Sequence, residues 1–357
     1  MGLDDDAYHV GCRTLRKRKP ARVDSPAEGS NSSKQEVLDF ARRCNKLVVF
    51  SGSGLSATSG MSTFTTPGGL YDRARKRFKL SDGKKLFNYS FFQKRRLDCM
   101  AFLADIYHEA MHATPSEGHK ALSRLWATGR LQRHYTLNID GLCEAVGMDT
   151  WQPMPCVKDG EEDMEYPRGA AASTVEMHGN IRQMVCTECR CWAFMDNSKS
   201  RQVQRKRVVP CHNCGKGPGL RPRVMLYDDD EGDAITPEDV WDIMKEDILA
   251  ADMILWVGIS FEQSASTAYF RKVRTFLMEG GRAGEVKQVI LNPSEDAHWN
   301  VVSACSNTDD LKIVEVLSTG DQILPALVEL YESRDNGTVK REEAAAKEEG
   351  KDENPSQ

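Results

Sequence analysis

A short β-branched run that feeds a glycine turn, LVVF-SGSGLSA (Leu47 to Ala57), constrains this chain more than any other stretch. Gly52, Gly54 and Ala57 fit G-x-G-x-x-[GA] directly after a strand. Glycine there allows a tight turn and lets the backbone approach a pyrophosphate, with the amides of the next turn facing the anion. Alone the turn is ambiguous, because short Gly/Ser loops are common. Its surroundings sharpen it. Arg133 to Thr136, MILWVG (253–258), VKQVILN (286–292) and LKIVEV (311–316) read as further strands, and helical patterns lie among them. Residues 114–129 form one such helix, opened by Pro115 and closed by Gly129; SASTAYFRKVRTFLME and DQILPALVELYE are others. Ser33 followed by Glu36 reads as a capping box at the first helix. This alternation predicts an α/β fold, a Rossmann-like doubly wound parallel sheet. A plain dehydrogenase would carry an acid about 20 residues beyond the turn, at the end of a second strand. Asp72 has that spacing, but no strand precedes it and RARKRFK follows; we read the match as coincidence and Arg73 to Lys79 as a solvated basic loop.

The chain has 11 cysteines, four of which are paired: Cys186-x-x-Cys189, then 21 residues, then Cys211-x-x-Cys214. Two such knuckles close a tetrahedral zinc site, and four sulfur ligands leave no open position for water. The expectation is one structural zinc ion on a small zinc-ribbon domain inserted between the strands near 135 and 255. Cys191 and His212 lie near enough to substitute, but the C-x-x-C geometry favours the four.

Composition excludes rather than identifies. Of 357 residues 40% are hydrophobic, and 48 Lys and Arg against 53 Asp and Glu leave a net charge of −5. That balance gives no reason to expect nucleic acid as a direct ligand. No run of about 18 apolar residues is present, and MGLDDDAYHV lacks a signal peptide's apolar segment, so an intracellular protein with no membrane partner is expected. Residues 1–32 and 336–357 are polar and charged, and are expected to be a disordered basic arm and a disordered tail. Arg16-Lys17-Arg18-Lys19-Pro20 reads equally as a nuclear localisation signal or an ordinary charged arm.

Four ordered segments together resemble the sirtuin family of NAD-dependent protein deacylases. They are GSGLSATSGMSTF…GGLY (Gly52 to Tyr71), TLNIDGL (Thr136 to Leu142), MHGN (Met177 to Asn180) just before the cysteines, and VGIS (Val257 to Ser260) followed by Leu291-Asn292. The resemblance covers roughly residues 33–332 and implies a sirtuin-type catalytic domain over 33–335. Its Rossmann-like lobe would run over about 33–175 and 245–335, with the zinc lobe over about 180–225. It implies that an acyl-lysine carbonyl attacks the NAD ribose as nicotinamide leaves, giving free lysine and O-acyl-ADP-ribose. His178 would be the general base, Asp140 would hold the nicotinamide carboxamide, and Asn138 would contact the ribose side. Gly52, Ser53, Gly54 and Ser56 would cradle phosphate, Gly258, Ser260, Asn292 and Asp321 would line the adenosine half, and Met61, Phe64, Tyr71 and Ile139 complete the expected NAD pocket. An acyl-lysine protein, a histone included, is the implied partner, and the nucleus the implied location, with the cytoplasm as alternative.

The chain departs from the family pattern at Ser62-Thr63-Phe64-Thr65, which lacks the family's acid and arginine, and at Leu137, which replaces a glutamine. LRPRVMLYDDD (Leu220 to Asp230) differs from the family's peptide-pairing strand, and Gln322 stands for its cysteine near the adenine. A lost charge-assisted contact is worth about 1.5–3 kcal/mol. Two further readings therefore stand beside deacylation: NAD cleavage as ADP-ribosyl transfer or hydrolysis, and a catalytically weak NAD-sensing module.

Overall fold

The computed structural model describes residues 28–151, 171–236, 239–305 and 311–335, with side chains from residue 33 onward. The expected arm and tail, and with them the Arg16 to Pro20 cluster, lie outside the described residues. Six strands, β1 (Leu47–Ser51), β2 (Leu131–Thr136), β3 (Thr174–Glu176), β7 (Met253–Val257), β8 (Lys287–Leu291) and β9 (Lys312–Val316), form one sheet in the order β3-β2-β1-β7-β8-β9. Every neighbouring pair is parallel. Parallel strands need covered faces, and the central β1 (LVVFS) and β7 (MILWV) accordingly read as apolar runs, whereas β2 (LQRHYT) carries buried polar side chains.

Alternate side chains divide between two layers. Val48, Phe50, Ile254, Trp256 and Ile290 face α7 (Val240–Ala250), α8 (Ser264–Glu279) and α9 (Asp296–Ala304). Leu47, Val49, Leu255, Val257, Val289 and Leu291 face α1 (Glu28–Ala41), α5 (Glu117–Ala127) and α10 (residues 320–335). Each fully buried Leu, Ile, Val or Phe contributes about 1.5–3 kcal/mol of transfer energy. The expected doubly wound sheet is present. The expected start of the first helix is not, because α1 begins at Glu28 and places Ser33 inside it rather than at its cap. Nothing between Pro26 and Ser33 forbids helical geometry, so the helix extends upstream of the capping signature.

A second, smaller module stands beside this sheet. β4 (Gly179–Val185), β5 (Trp192–Phe194) and β6 (Arg221–Val224) form an antiparallel sheet in the order β5-β4-β6. Against it pack α2 (Leu70–Phe78), α3 (Tyr89–Lys94), α4 (Arg96–His112) and α6 (Asn197–Gln204), through Phe92, Phe102, Ile106, Ile181, Met184 and Val224. The two sheets are joined by a buried ion pair: Arg223 on β6 donates to Glu176 on β3 at 2.5 Å, and Asn180 donates to the other Glu176 oxygen at 2.7 Å. Among the described residues no helix is long and apolar enough to cross a membrane.

The sheet reverses strand order between β1 and β7, and the turns after these strands touch. Gly52 and Gly54 donate backbone hydrogen bonds to Val257 and Gly258, each at 3.0 Å. Gly258 has φ +63°, and a Cβ there would lie 2.6 Å from the Leu55 nitrogen and 2.7 Å from Gly54 Cα. Gly258→Ala is expected to cost about 1–3 kcal/mol from the backbone angle alone, with the overlap adding to it. Gly284→Ala, which meets open space, should stay within about 0.5 kcal/mol of the parent. Urea unfolding midpoints of the two variants check this, and equal midpoints would contradict the close crossing.

Candidate active site

Ligands of doubly wound sheets bind beyond the strand C-termini at the point where strand order reverses, and most of the expected site residues gather there. Gly52, Ser53, Gly54 and Ser56 follow β1, Asn138, Ile139 and Asp140 follow β2, Gly258 and Ser260 follow β7, and Asn292 follows β8. His178 lies between β3 and β4, where the two sheets meet.

A buried polar knot organises the centre. Asn138 Nδ2 donates to the Gly52 carbonyl at 3.1 Å and to Ser56 Oγ at 3.0 Å. Ser56 Oγ donates to Asp140 Oδ2 at 2.7 Å, while Asp140 Oδ1 accepts the Leu142 amide at 3.0 Å. A fourth member, His119, was not anticipated from the sequence. Its Nδ1 accepts the Ser116 amide, so its Nε2 carries the proton and points to Ser56 Oγ at 3.5 Å. Burial lowers its pKa below the usual imidazole value, so this histidine is neutral. Ser116-x-x-His119 is a capping box with His in place of Glu or Gln, closing the start of α5. That spacing was the available signal. With donors on two sides, Ser56 has one direction left for its proton, toward Asp140. Arg182 fixes the same aspartate from the small sheet, Nε donating to the Asp140 carbonyl at 2.8 Å.

Ser53, Ser56, Asn138, Ile139 and Asp140 line one side of a cleft whose other side is Met61, Ser62, Phe64, Leu70 and Ile106. Tyr71 stands behind this wall, with its ring 5.5 Å from Phe64 and 5.6 Å from Phe87, and its hydroxyl 3.1 Å from that of Tyr227. The strip that lacks the expected arginine has a guanidinium beside it from another source. Arg73, on α2, donates to Ser62 Oγ at 3.2 Å and pairs with Glu109 on α4. A basic residue read as part of a solvated loop therefore holds the cleft wall.

His178 Nδ1 lies 3.0 Å from the Leu137 carbonyl. A carbonyl only accepts, so Nδ1 carries the proton and Nε2 is left as the basic nitrogen. The ring is half-buried, 5.7 Å from Tyr269, which stacks on Trp241. Burial pulls its pKa down to about 4, against the Leu137 hydrogen bond, which raises it. The imidazole is neutral at pH 7 and able to take up a proton.

Asn292 and Asp321 bind within the protein. Asn292 Nδ2 donates to the Ile259 carbonyl at 3.1 Å. Asp321 accepts the Gly118 amide at 2.7 Å and the Thr58 hydroxyl at 2.6 Å, joining α10, α5 and the turn after β1. The Ser260 carbonyl accepts Asn300 Nδ2 at 2.9 Å.

The cysteine quartet converges as its spacing predicts. The sulfurs of Cys186, Cys189, Cys211 and Cys214 all lie within 4.8 Å of one another, with 3.7 Å between Cys186 and Cys214 and between Cys189 and Cys211. Zinc–sulfur bonds of about 2.3 Å in a tetrahedron set sulfurs roughly 3.8 Å apart, so the four fit a structural zinc ion. The Asn213 and Cys214 amides point at the Cys211 sulfur, each at 3.4 Å, as a thiolate ligand requires. Cys191 lies outside the quartet with its sulfur 3.2 Å from that of Cys211, and His212 is exposed.

Comparison with known proteins agrees with this fold. The family model described as the Sir2 family matches residues 52–154 and 162–264. The chain belongs to that family. Among its curated relatives are "NAD-dependent protein deacetylase hst4" of Emericella nidulans, 28% identical over 63% of this chain and 38% of its own length. Another is "NAD-dependent histone deacetylase HST3" of Saccharomyces cerevisiae, 24% identical over 81% of this chain and 70% of its own. The chain thus spans well under half of the first relative. A solved structure described as a Sir2 homolog–NAD complex matches the fold with TM-score 0.59, at 20% identity, covering 84% of this chain and 94% of that one.

Cys211→Ser should remove the zinc ion from the chain and lower the melting temperature, as structural zinc contributes folding energy directly. Native mass spectrometry beside a thermal melt reads both, and full zinc retention in the variant would contradict the assignment of Cys211 as a ligand.

Proposed function

We propose that this protein is an NAD-dependent protein-lysine deacylase in which His178 is the general base. The observation that carries the reading is the fixed tautomer of His178 beside the polar knot. Its Nδ1–H is held by the Leu137 carbonyl, one residue before Asn138, and its Nε2 is the basic nitrogen. Bound NAD supplies a ribose carbon attached to a cationic leaving group, and the acyl-lysine carbonyl supplies the nucleophile. Asn138 and Asp140 face the cleft with their orientation set by Ser56, Gly52 and Leu142, so they contact the nicotinamide and ribose without reorganising. Ser53 and the glycine turn would hold the diphosphate, with Ser56 acting chiefly to aim Asp140. Gly258, Ser260 and Asn292 line the adenosine half, and Asp321 ties that wall to α5 and to the turn after β1. Met61, Phe64 and Ile139 give the apolar side, which Tyr71 backs. His178 takes a proton from a ribose hydroxyl and keeps the neutral form until then, because burial disfavours its charge.

Relatives named as histone deacetylases support a protein substrate of that kind and a nuclear location, to which the Arg16 to Pro20 cluster is suited. A second reading, NAD cleavage with ADP-ribosyl transfer or hydrolysis, draws on the segment after β6. There the Tyr227 amide donates to Phe87, its carbonyl accepts Tyr89, and the Leu226 amide donates to Asp229. Fewer backbone groups are left to pair with a peptide.

Incubation with NAD and acetyl-lysine peptide, read by mass spectrometry, should give O-acetyl-ADP-ribose in the parent and at least about 100-fold less in His178→Ala. ADP-ribose without deacylated peptide would move the assignment to the second reading. The pH profile is a separate check. A base with pKa about 4 is unprotonated above that value, so kcat/KM should hold level from pH 7 down to about 5 and fall only below. A fall centred near 6.5, the ordinary imidazole value, would show that His178 is not held as described.

A further inference from the structure

The net charge of −5 conceals a strong polarity. Residues 72–98 carry ten Lys and Arg against three Asp, and residues 199–207 carry five against no acid. The fold brings these stretches together on the small module. Asp105 on α4 pairs with Arg77 from α2 and accepts Gln204 from α6 at 3.1 Å. Asp98, at the start of α4, pairs with both Arg95 and Lys206, each at 2.7 Å. The two aspartates act as spacers that draw α2, the α3–α4 junction and the end of α6 into one face. Arg77, Arg95 and Lys206 keep 44%, 48% and 58% of their side chains exposed, so they retain donors for an outside anion. Next to them in the chain Lys76, Lys94, Arg205 and Arg207 are exposed and form no ion pair among the described residues.

We infer that this face binds the phosphate backbone of duplex DNA, separately from the catalytic cleft. Arginine predominates along its three edges, and a guanidinium matches phosphate with two parallel donors. The aromatic residues among the cations turn inward: Phe78 and Phe91 pack against the module's core beside Phe102, and Arg77 and Arg95 lie over Phe78. The face therefore lacks the stacking platforms of single-strand binders and the row of apolar anchors of a membrane-surface helix. A charged face whose exposed apolar group is the single Val208 beside Arg207 fits a duplex backbone held chiefly through its phosphates.

Fluorescence anisotropy of the full chain with short duplex DNA, across a salt series, tests this. The Lys76→Gln, Lys94→Gln, Arg205→Gln, Arg207→Gln variant keeps both aspartate ties. It should bind at least about tenfold more weakly at low salt, with a log–log salt slope shallower by about four. Its melting temperature and zinc content should match the parent. Lys76→Glu alone should weaken binding in the same direction and serves if the fourfold variant proves unstable. Absence of DNA binding by the parent at low salt would overturn the inference. So would unchanged affinity in the variants, which would place the binding on the basic arm. Tighter association with anionic lipid vesicles than with DNA would reassign the face to a membrane surface and overturn it equally.

Discussion

The contact between the turns after β1 and β7 sets where everything else in this molecule can be. Two backbones cross there with Gly54 against Gly258, closer than any side chain would permit. The close approach lets the first turn bend over the sheet edge at the one place where strand order reverses. Asn138 then reaches the Gly52 carbonyl, and through Ser56 the same turn aims Asp140. A wider crossing would separate the donors of the knot from their acceptors.

The second constraint is the pair Arg223–Glu176, which joins the small sheet to the large one inside the protein. Buried pairs of this kind gain little net stability, because desolvation offsets the attraction, yet losing one partner costs several kcal/mol. Its value here is geometric. Glu176 and Asn180 bracket His178 in sequence, so the pair that locks the sheets together also fixes the segment that carries this imidazole. Arg182, two residues further on, returns to the Asp140 carbonyl. Module placement and site geometry are thus held by the same few bonds.

Much of this was legible in the sequence, for physical reasons. Strands covered on both faces are largely apolar, so β1, β7 and the second half of β8 are legible directly, the edge strand β9 keeps Ile313, Val314 and Val316, and the cysteine knuckles carry their ligand spacing on their face. Short or half-covered elements gave no such signal: β3 has three residues, and the helices α2 to α4 were not anticipated as partners of the zinc-bearing sheet. His119 is not legible because a capping histidine looks like any surface helix start, and only the fold sets its ring at Ser56. Arg73 reads as part of a solvated run because its partner Glu109 lies 36 residues away. A whole-chain charge sum likewise averages away a polarity that only the fold reveals.

The bond between His178 and the Leu137 carbonyl has a consequence for how freely this site can change. The group that selects the imidazole tautomer is main chain, and every residue type supplies it. Leucine at 137 therefore leaves the imidazole in the same tautomer that a polar residue there would. Substitution at this position can alter the lining of the cleft while the proton-accepting nitrogen stays aimed, so ligand preference can drift independently of the ability to move a proton.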